Sequence, residues 1–412
     1  MSRAPSRHHR HPANSPARFA QASYPEPEPS PGDPRLSPSP RIFAHVQHLL
    51  GTGHLRRMAA LCGALVARGA RVVLVSGGER PGGFTVPAGV EFVQLPPARA
   101  EDARFRALVG PDGTPVDEAW RADRRARVLR AFEEEAPDAV LVEHFPFGRR
   151  MMEFELLPLV EAARARQPRP LLACSVRDVL VAKDDPARRA AMVARAAALF
   201  DRVLFHGDDA LLPLAASLPE ATALAPILAA TGYVATPAPG RDAPGEDGRD
   251  EIVVSAGGGP VGRRLLDCAL EARALSRERG RTWRILAAAT GLAPRREPGL
   301  VVEANRPDFP VLVARAWLSV SQAGYNTVTD LLAARARSVL VPFAAEGENE
   351  QSLRAAALAA RGLATVVNEA ELTPQMLARA IDTTAAAPRP TNDIALDGAS
   401  RGARLILGWC AR

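Results

Sequence analysis

Four places in the chain combine residue types that suit a phosphorylated, hydroxyl-bearing substrate. The first is Ser321-Gln322-Ala323-Gly324, followed by Asn326, Thr327 and Asp330. An apolar run through Leu318 and Val320 ends at Ser321, and Thr327 to Ala334 carries Val328, Leu331 and Leu332 at helical spacing. That pattern predicts a strand, a tight turn and a helix. Such a turn presents backbone N–H groups and the positive end of a helix dipole at a sheet's C-terminal edge, where a phosphate is favoured. Asp330 lies three residues after Thr327, so both share one helix face and the carboxylate is available to a ribose diol. The second place is Gly257-Gly258-Gly259, between the run Ile252-Val253-Val254 and a helix expected from about Val261. Its glycines let backbone N–H groups come close to a diphosphate.

The third place is Gly51-Thr52-Gly53-His54, again between an expected strand and helix. It is too short for a dinucleotide fingerprint, and Val75-Ser76-Gly77 ends the next strand without a ribose-binding acid. His54 has the near-neutral titration a general base needs; the competing reading is a histidine that caps the helix start. The fourth is Glu143-His144, where the apolar strand Ala139 to Val142 breaks into a polar turn. Neighbours on a continuing strand point to opposite faces, so one of the two is expected to face the ligand. Glu143 is a second candidate base. Equally, it is a strand-end carboxylate paired with Arg149, Arg150 or Arg177. Arg177-Asp178 is another polar pair at a strand end, and His206 reads as a core histidine.

The elements that must hold these residues alternate strand and helix throughout, which predicts an α/β protein with parallel sheets. We expect a basic tail rich in Pro and Ser over 1–40, too poor in aliphatics to bury a core. Its His8, His9 and His11 read as part of a solvated tail rather than a metal site. A first Rossmann-like domain is expected over 41–234. It includes a helix from Leu55 to about Ala67, and an arginine-rich insert from Pro96 to Phe132 that reads as a solvated face. A linker follows over 235–250, and a second Rossmann-like domain over 251–390. Residues 391–412 hold an amphipathic terminal helix.

Composition narrows the function classes. At 412 residues the chain is long enough for two cores, and 47% apolar with 24% charged residues is ordinary for a globular protein. A net charge of +6 suits an anionic ligand or membrane surface. No nucleic-acid motif is present, so a nucleic-acid partner is not expected. Four widely spaced cysteines, Cys62, Cys174, Cys268 and Cys410, lack metal-ligand spacing and suit a reducing compartment. No apolar run reaches membrane-spanning length and the N-terminus lacks the apolar segment of a signal peptide. A cytoplasmic protein is expected, with peripheral contact to the membrane's inner face as an extension.

Ser321, Gly324, Thr327 and Asp330, then Val341-Pro342-Phe343, then Glu350-Gln351 together resemble the donor half of GT-B glycosyltransferases. They are most similar to the peptidoglycan N-acetylglucosaminyltransferase group, the family 28 C-terminal domain, and its uncharacterised relatives. Asp330 stands where that group has Glu, which keeps the charge and shortens the reach. The resemblance implies two Rossmann-like domains with parallel sheets facing across a cleft. It implies a metal-independent hexosyltransferase with no cofactor, an inverting displacement, and a UDP-sugar donor. It places the diphosphate at Gly257, Gly258, Gly259, Ser321, Gln322, Gly324, Asn326 and Thr327. Arg263 would compensate for Pro260, which replaces a polar residue. The base and ribose fall near Asn305, Arg306 and Asp330, and the sugar near Glu350 and Gln351. Gly51 and Gly53 become a cleft loop, with His54 or Glu143 as the base. The terminal helix would cross back onto the first domain. The acceptor stays open between a lipid-linked sugar, a small metabolite and a protein. The rival readings are a nucleotide-sugar hydrolase or epimerase of the same fold, and a non-catalytic nucleotide-sugar-binding protein.

Overall fold

A computed structural model describes residues 39–102, 107–180, 185–237, 240, 245–257, 262–287, 290–344 and 349–411. The expected tail, with its three histidines, lies outside them. So do Gly258, Gly259 and Pro260.

The first half runs β1 (Arg41–Val46), α1 (Gly53–Val66), β2 (Arg71–Ser76), β3 (Val90–Gln94), a short antiparallel pair β4 (Arg99–Ala100) and β5 (Leu108–Val109), and α2 (Glu118–Glu135). It continues with β6 (Ala139–Glu143), α3 (Glu153–Ala165), β7 (Leu171–Arg177), α4 (Pro186–Leu199), β8 (Arg202–His206) and β9 (Leu228–Ala230). Its main sheet has the order β3-β2-β1-β6-β7-β8-β9, and every pairing in it is parallel. The inner strands β1, β2, β6, β7 and β8 are mostly apolar and buried on both faces, as a sheet covered by helices on each side requires, while the edge strands β3 and β9 are partly exposed. Start signals in the sequence fix several helices. Asp185 caps α4 by accepting hydrogen bonds from the Ala187 and Arg188 N–H groups, with Pro186 in the first turn. Asp117 caps α2 in the same way from Trp120.

The arginine-rich insert is less solvated than its composition suggests. Arg124 of α2 is fully buried, bonded to both Glu155 oxygens at 2.6 and 2.8 Å and to the Gly77 and Pro96 carbonyls. Its neighbours Arg127 and Arg130 remain exposed. A buried guanidinium persists only when paired this completely.

The second half repeats the plan. It comprises β10 (Ile252–Ser255), α5 (Arg263–Leu275), β11 (Trp283–Leu286), β12 (Arg295–Glu297), β13 (Leu300–Glu303) and α6 (Phe309–Arg315). Then come β14 (Leu318–Ser321), α7 (Tyr325–Ala334), β15 (Ser338–Leu340), α8 (Glu350–Ala360), β16 (Thr365–Val366) and α9 (Pro374–Ala386). The order is β12-β13-β11-β10-β14-β15-β16, parallel except for the edge strand β12.

The chain crosses between the halves twice, and the crossings are tied together. Tyr233 N–H donates to Ala395 C=O at 2.7 Å, and Gly398 N–H donates to Tyr233 C=O at 2.9 Å. A Cβ on Gly398 would lie 2.3 Å from the Gly232 carbonyl oxygen, so no larger residue fits there. The last helix, α10 (Gly398–Cys410), begins at this tie and packs back on α1, with Ala403 and Ile406 in the same cluster as Leu61 and Leu65. Cys62, Cys174 and Cys268 are buried thiols without disulfide partners.

Candidate functional site: two facing switch points

In each sheet the strand order reverses about the first strand: between β1 and β6 in one, between β10 and β14 in the other. Ligands of open α/β sheets bind outside the strand ends at such switch points. All four sequence motifs follow or end these four strands.

At the first switch point, α1 begins at Gly53 and carries His54 in its first turn. Thr52 makes no side-chain cap, and the His54 ring turns to Glu143 instead of capping the helix. His54 Nδ1 lies 2.6 Å from Glu143 Oε1, and Arg57 Nη2 donates to the same oxygen at 2.5 Å. Arg149 Nη2 stands 3.9 Å from Glu143 Oε2. β6 stops at Glu143, and His144 takes a left-handed conformation with φ 65°. That break lets both residues join one cluster, which a continuing strand would forbid; the His54 and His144 rings stand 5.4 Å apart. The Glu143 side chain has no exposure, whereas His54 keeps 14%.

The imidazoles of this cluster are held neutral. Burial, then the charges of Arg149, Arg177 and Arg57, keep His54 well below its usual 6.5. Burial also holds His144 well below its usual value, Glu143 pulling the other way and Arg149 and Arg177 adding to the fall. His206, bonded to Ser175 and Thr231, is pushed down to about 3 by burial and is a core residue.

At the second switch point, Gly257 has φ 77°. Its N–H donates to Ser255 Oγ at 3.2 Å, and its carbonyl accepts from Asn305 Nδ2 at 2.7 Å. Gly262, at φ 108°, opens α5 without a side-chain cap. A Cβ there would come 2.5 Å from the Ala256 side chain and 3.1 Å from Gln322 Nε2. The two glycine turns are therefore neighbours. Ser321 Oγ and Gln322 Nε2 are buried with no protein partner among the described residues. Gly324 precedes α7, which also lacks a side-chain cap, so its first-turn N–H groups have no intrahelical acceptor. Gln351 Oε1 accepts from the Ala323 and Phe343 N–H groups at 2.9 and 3.1 Å, pinning the turn to the strand end beside it.

Other candidates sit differently. Arg263 bonds Asp267 and Arg306 bonds Asp308 and Asp247, all within the second half. Asp330 falls in the second turn of α7, not the first, and faces Arg56 of α1; burial pushes its carboxyl up to about 7, with Arg56 pulling the other way. Glu350 accepts from Arg354 at 2.9 Å and pairs with Arg177 at 2.5 Å.

The halves meet along these edges. A Cβ on Gly53 would lie 3.1 Å from Asn326 Nδ2. Arg354 binds Asp178 through two bonds of 2.6 and 2.7 Å, with both side chains fully buried. Tyr325 OH donates to His206 C=O at 3.0 Å, accepts from Val234 N–H, and its ring lies under the Arg57 guanidinium. Arg57, Tyr325 and Arg354 escape sequence reasoning. Only Arg57 leaves a signal, three residues from His54 on one helix face.

Residues 306–395 match the Glycosyltransferase family 28 C-terminal domain. An 81-residue stretch is 36% identical to the UDP-N-acetylglucosamine–N-acetylmuramyl-(pentapeptide) pyrophosphoryl-undecaprenol N-acetylglucosamine transferase of Agrobacterium fabrum. The match spans 20% of this chain and 21% of that relative. In fold, the chain is similar to the glycotransferase of kitacinnamycin, with a TM-score of 0.56 at 19% identity over 90% of this chain and 96% of that one. It is also similar to Acinetobacter baumannii MurG, with a TM-score of 0.52 at 16% identity over 90% and 99%. The chain thus has the GT-B fold, and residues 306–395 of its second half are similar to the Glycosyltransferase family 28 C-terminal domain.

Proposed function

We propose that the protein transfers a hexose-type sugar from a nucleotide diphosphate sugar, a UDP-sugar, to an acceptor hydroxyl with inversion. One observation carries this reading: the turn that bears His54, paired with Glu143, lies beside Asn326 at the start of α7, and Gly262 at the start of α5 lies beside Gln322. The donor diphosphate lies at the uncapped starts of α5 and α7, near Gly257, Gly262 and Gly324, with Asn326 and Thr327 beside it. Asn305 steadies the first turn and Gln351 the second. Ser321 Oγ and Gln322 Nε2 remain as ligand partners. Asp330 meets the ribose, and Glu350 the sugar.

His54 is the base. Its Nδ1–H is held by Glu143, which leaves Nε2 as the basic nitrogen, while Glu143 is too buried to reach an acceptor. Nε2 takes the acceptor's hydroxyl proton as the oxygen bonds to the anomeric carbon. The bond from that carbon to the phosphate oxygen breaks on the opposite face. The nucleotide diphosphate leaves with the bonding pair, its growing charge met by the two helix starts. Those fixed positive groups support a metal-independent reaction.

The test is a thermal-shift panel of UDP-, dTDP- and GDP-sugars, then the best donor incubated with cell extract while released nucleoside diphosphate is measured. A donor-specific shift and release that depends on extract are expected. Release without any acceptor would mark a hydrolase instead, and a shift without release under any condition would mark a binding protein.

A further inference from the structure

The first-half side of the cleft holds positive charge that the protein's own carboxylates do not neutralise. Arg57, Arg149, Arg177 and Arg354 gather around Glu143, Asp178 and Glu350. Arg354 is matched by Asp178 and again by Glu350, and Arg57 by Glu143. Arg149 and Arg177 are left poorly matched. Among the described residues, Arg149 makes one hydrogen bond, from Nε to the Gln47 carbonyl at 2.6 Å. Its end stands 3.9 Å from a carboxylate already taken by Arg57 and His54. Arg177 reaches Glu350 with Nη2, while its Nε is buried without a partner among the described residues.

Both side chains are largely enclosed, 9% exposed for Arg149 and 21% for Arg177. Enclosing two guanidiniums on so few acceptors is costly, and the cost falls sharply when an anion binds between them. Among the described residues, His144 Nδ1 in the same cluster is also buried without a hydrogen-bond partner, on a residue less than one-tenth exposed. Burial holds His48 below its ordinary value, the hydrogen bond to the Glu79 carbonyl pulling the other way and Arg149 adding to the fall.

We propose that Arg149 and Arg177 bind an oxyanion, a phosphate or carboxylate, that the acceptor carries near the hydroxyl receiving the sugar. This rests on the transferase reading and names the acceptor class: an acidic molecule. Two planar guanidiniums suit either anion through paired N–H donors. An oxyanion on Arg177 competes with Glu350 for that guanidinium. Acceptor binding then frees the Glu350 carboxylate for the donor sugar, so the two substrates help each other to bind.

The test uses the full chain with UDP at saturation, so that the donor phosphate site is filled. Inorganic phosphate and acetate are titrated by calorimetry against the parent protein, Arg149→Gln, Arg177→Gln and an exposed control, Arg277→Gln. Saturable binding is expected in the parent and the control, with affinity at least tenfold weaker in R149Q and R177Q. Whichever anion binds more tightly identifies the group the acceptor bears. If a glutamine variant fails to fold, Arg149→Lys and Arg177→Lys take its place. These keep the charge, lose the planar fork, and are expected to weaken binding severalfold. Equal affinity in all variants, or no saturable binding of either anion, overturns the inference. The UDP shift is recorded first. Absence of saturable anion binding in the parent protein, with that shift intact, refutes this inference alone. Failure of UDP and other nucleotides to bind, with anion binding intact, refutes the donor reading and leaves the anion pocket standing.

Discussion

In the proposed reaction His54 acts through one atom, Nε2, and its neighbours decide when that atom is free. With the imidazole held well below 6.5, the acid limb of kcat/KM for the free enzyme falls below the ordinary histidine value and activity stays flat across neutral pH. A limb centred at or above 6.5 would mean that another group is the base. His54→Asn is expected to lower kcat by about 10²- to 10⁴-fold, the usual share of general base catalysis, with the donor thermal shift unchanged. Asp330 titrates in the opposite sense. Its carboxyl is pushed from 3.8 up to about 7, so between those values the folded state holds a proton that the unfolded chain has released. Stability therefore declines as pH rises from about 4 to about 7 and levels off above. Asp330→Asn removes that slope. Urea unfolding is expected to show it gaining on the parent over this range, by on the order of 2–4 kcal/mol at pH 8 given about 1.4 kcal/mol per pKa unit. A constant gap at every pH would refute the shift. His54, Glu143 and Asp330 were legible by type alone. Of Glu143's partners, nearby Arg149 was among the candidates read from the sequence, whereas His54 and Arg57 were not, because they lie 89 and 86 residues away in the chain.

At the scale of elements, the site depends on two turns keeping their shape. Strand, turn and helix around Ser321–Gly324 could be read directly, since an apolar β-branched run gives way to glycine and then to helical spacing. The role of Gln351 could not, because nothing in a helix-start glutamine shows that it accepts from Ala323 and Phe343. Gln351→Leu strands those two N–H groups and is expected to cost about 1–3 kcal/mol in chemical denaturation and to weaken donor binding. Gln351→Glu keeps the acceptor oxygen and is expected to recover most of both; equal losses in the two variants would refute the clamp. The arginine-rich α2 misled by composition, because charge counts do not distinguish a solvated Arg127 from an Arg124 anchored on Glu155.

For the molecule as a whole, the candidate site lies where two ordinary α/β units meet. The fold class was legible from alternating strand and helix signals and from the order of the donor-half motifs. The seam was not, since Arg354 and Asp178 stand 176 residues apart. Arg354→Met leaves Asp178 buried and unpaired and is expected to destabilise the protein by about 3–5 kcal/mol. Pairing it with Asp178→Leu is expected to restore most of the unfolding free energy while changing how the halves close, read as altered small-angle scattering with and without nucleotide. A double variant no more stable than Arg354→Met would argue against the pair as an isolated unit. The most direct measurement is a crystal structure of the protein with UDP. The expected result places the diphosphate between the starts of α5 and α7, within hydrogen-bond reach of the turns at Gly257 and Gly324, with His54 Nε2 facing it across the cleft. A diphosphate bound away from these two helix starts would contradict the proposal that the facing switch points form a sugar-transfer site.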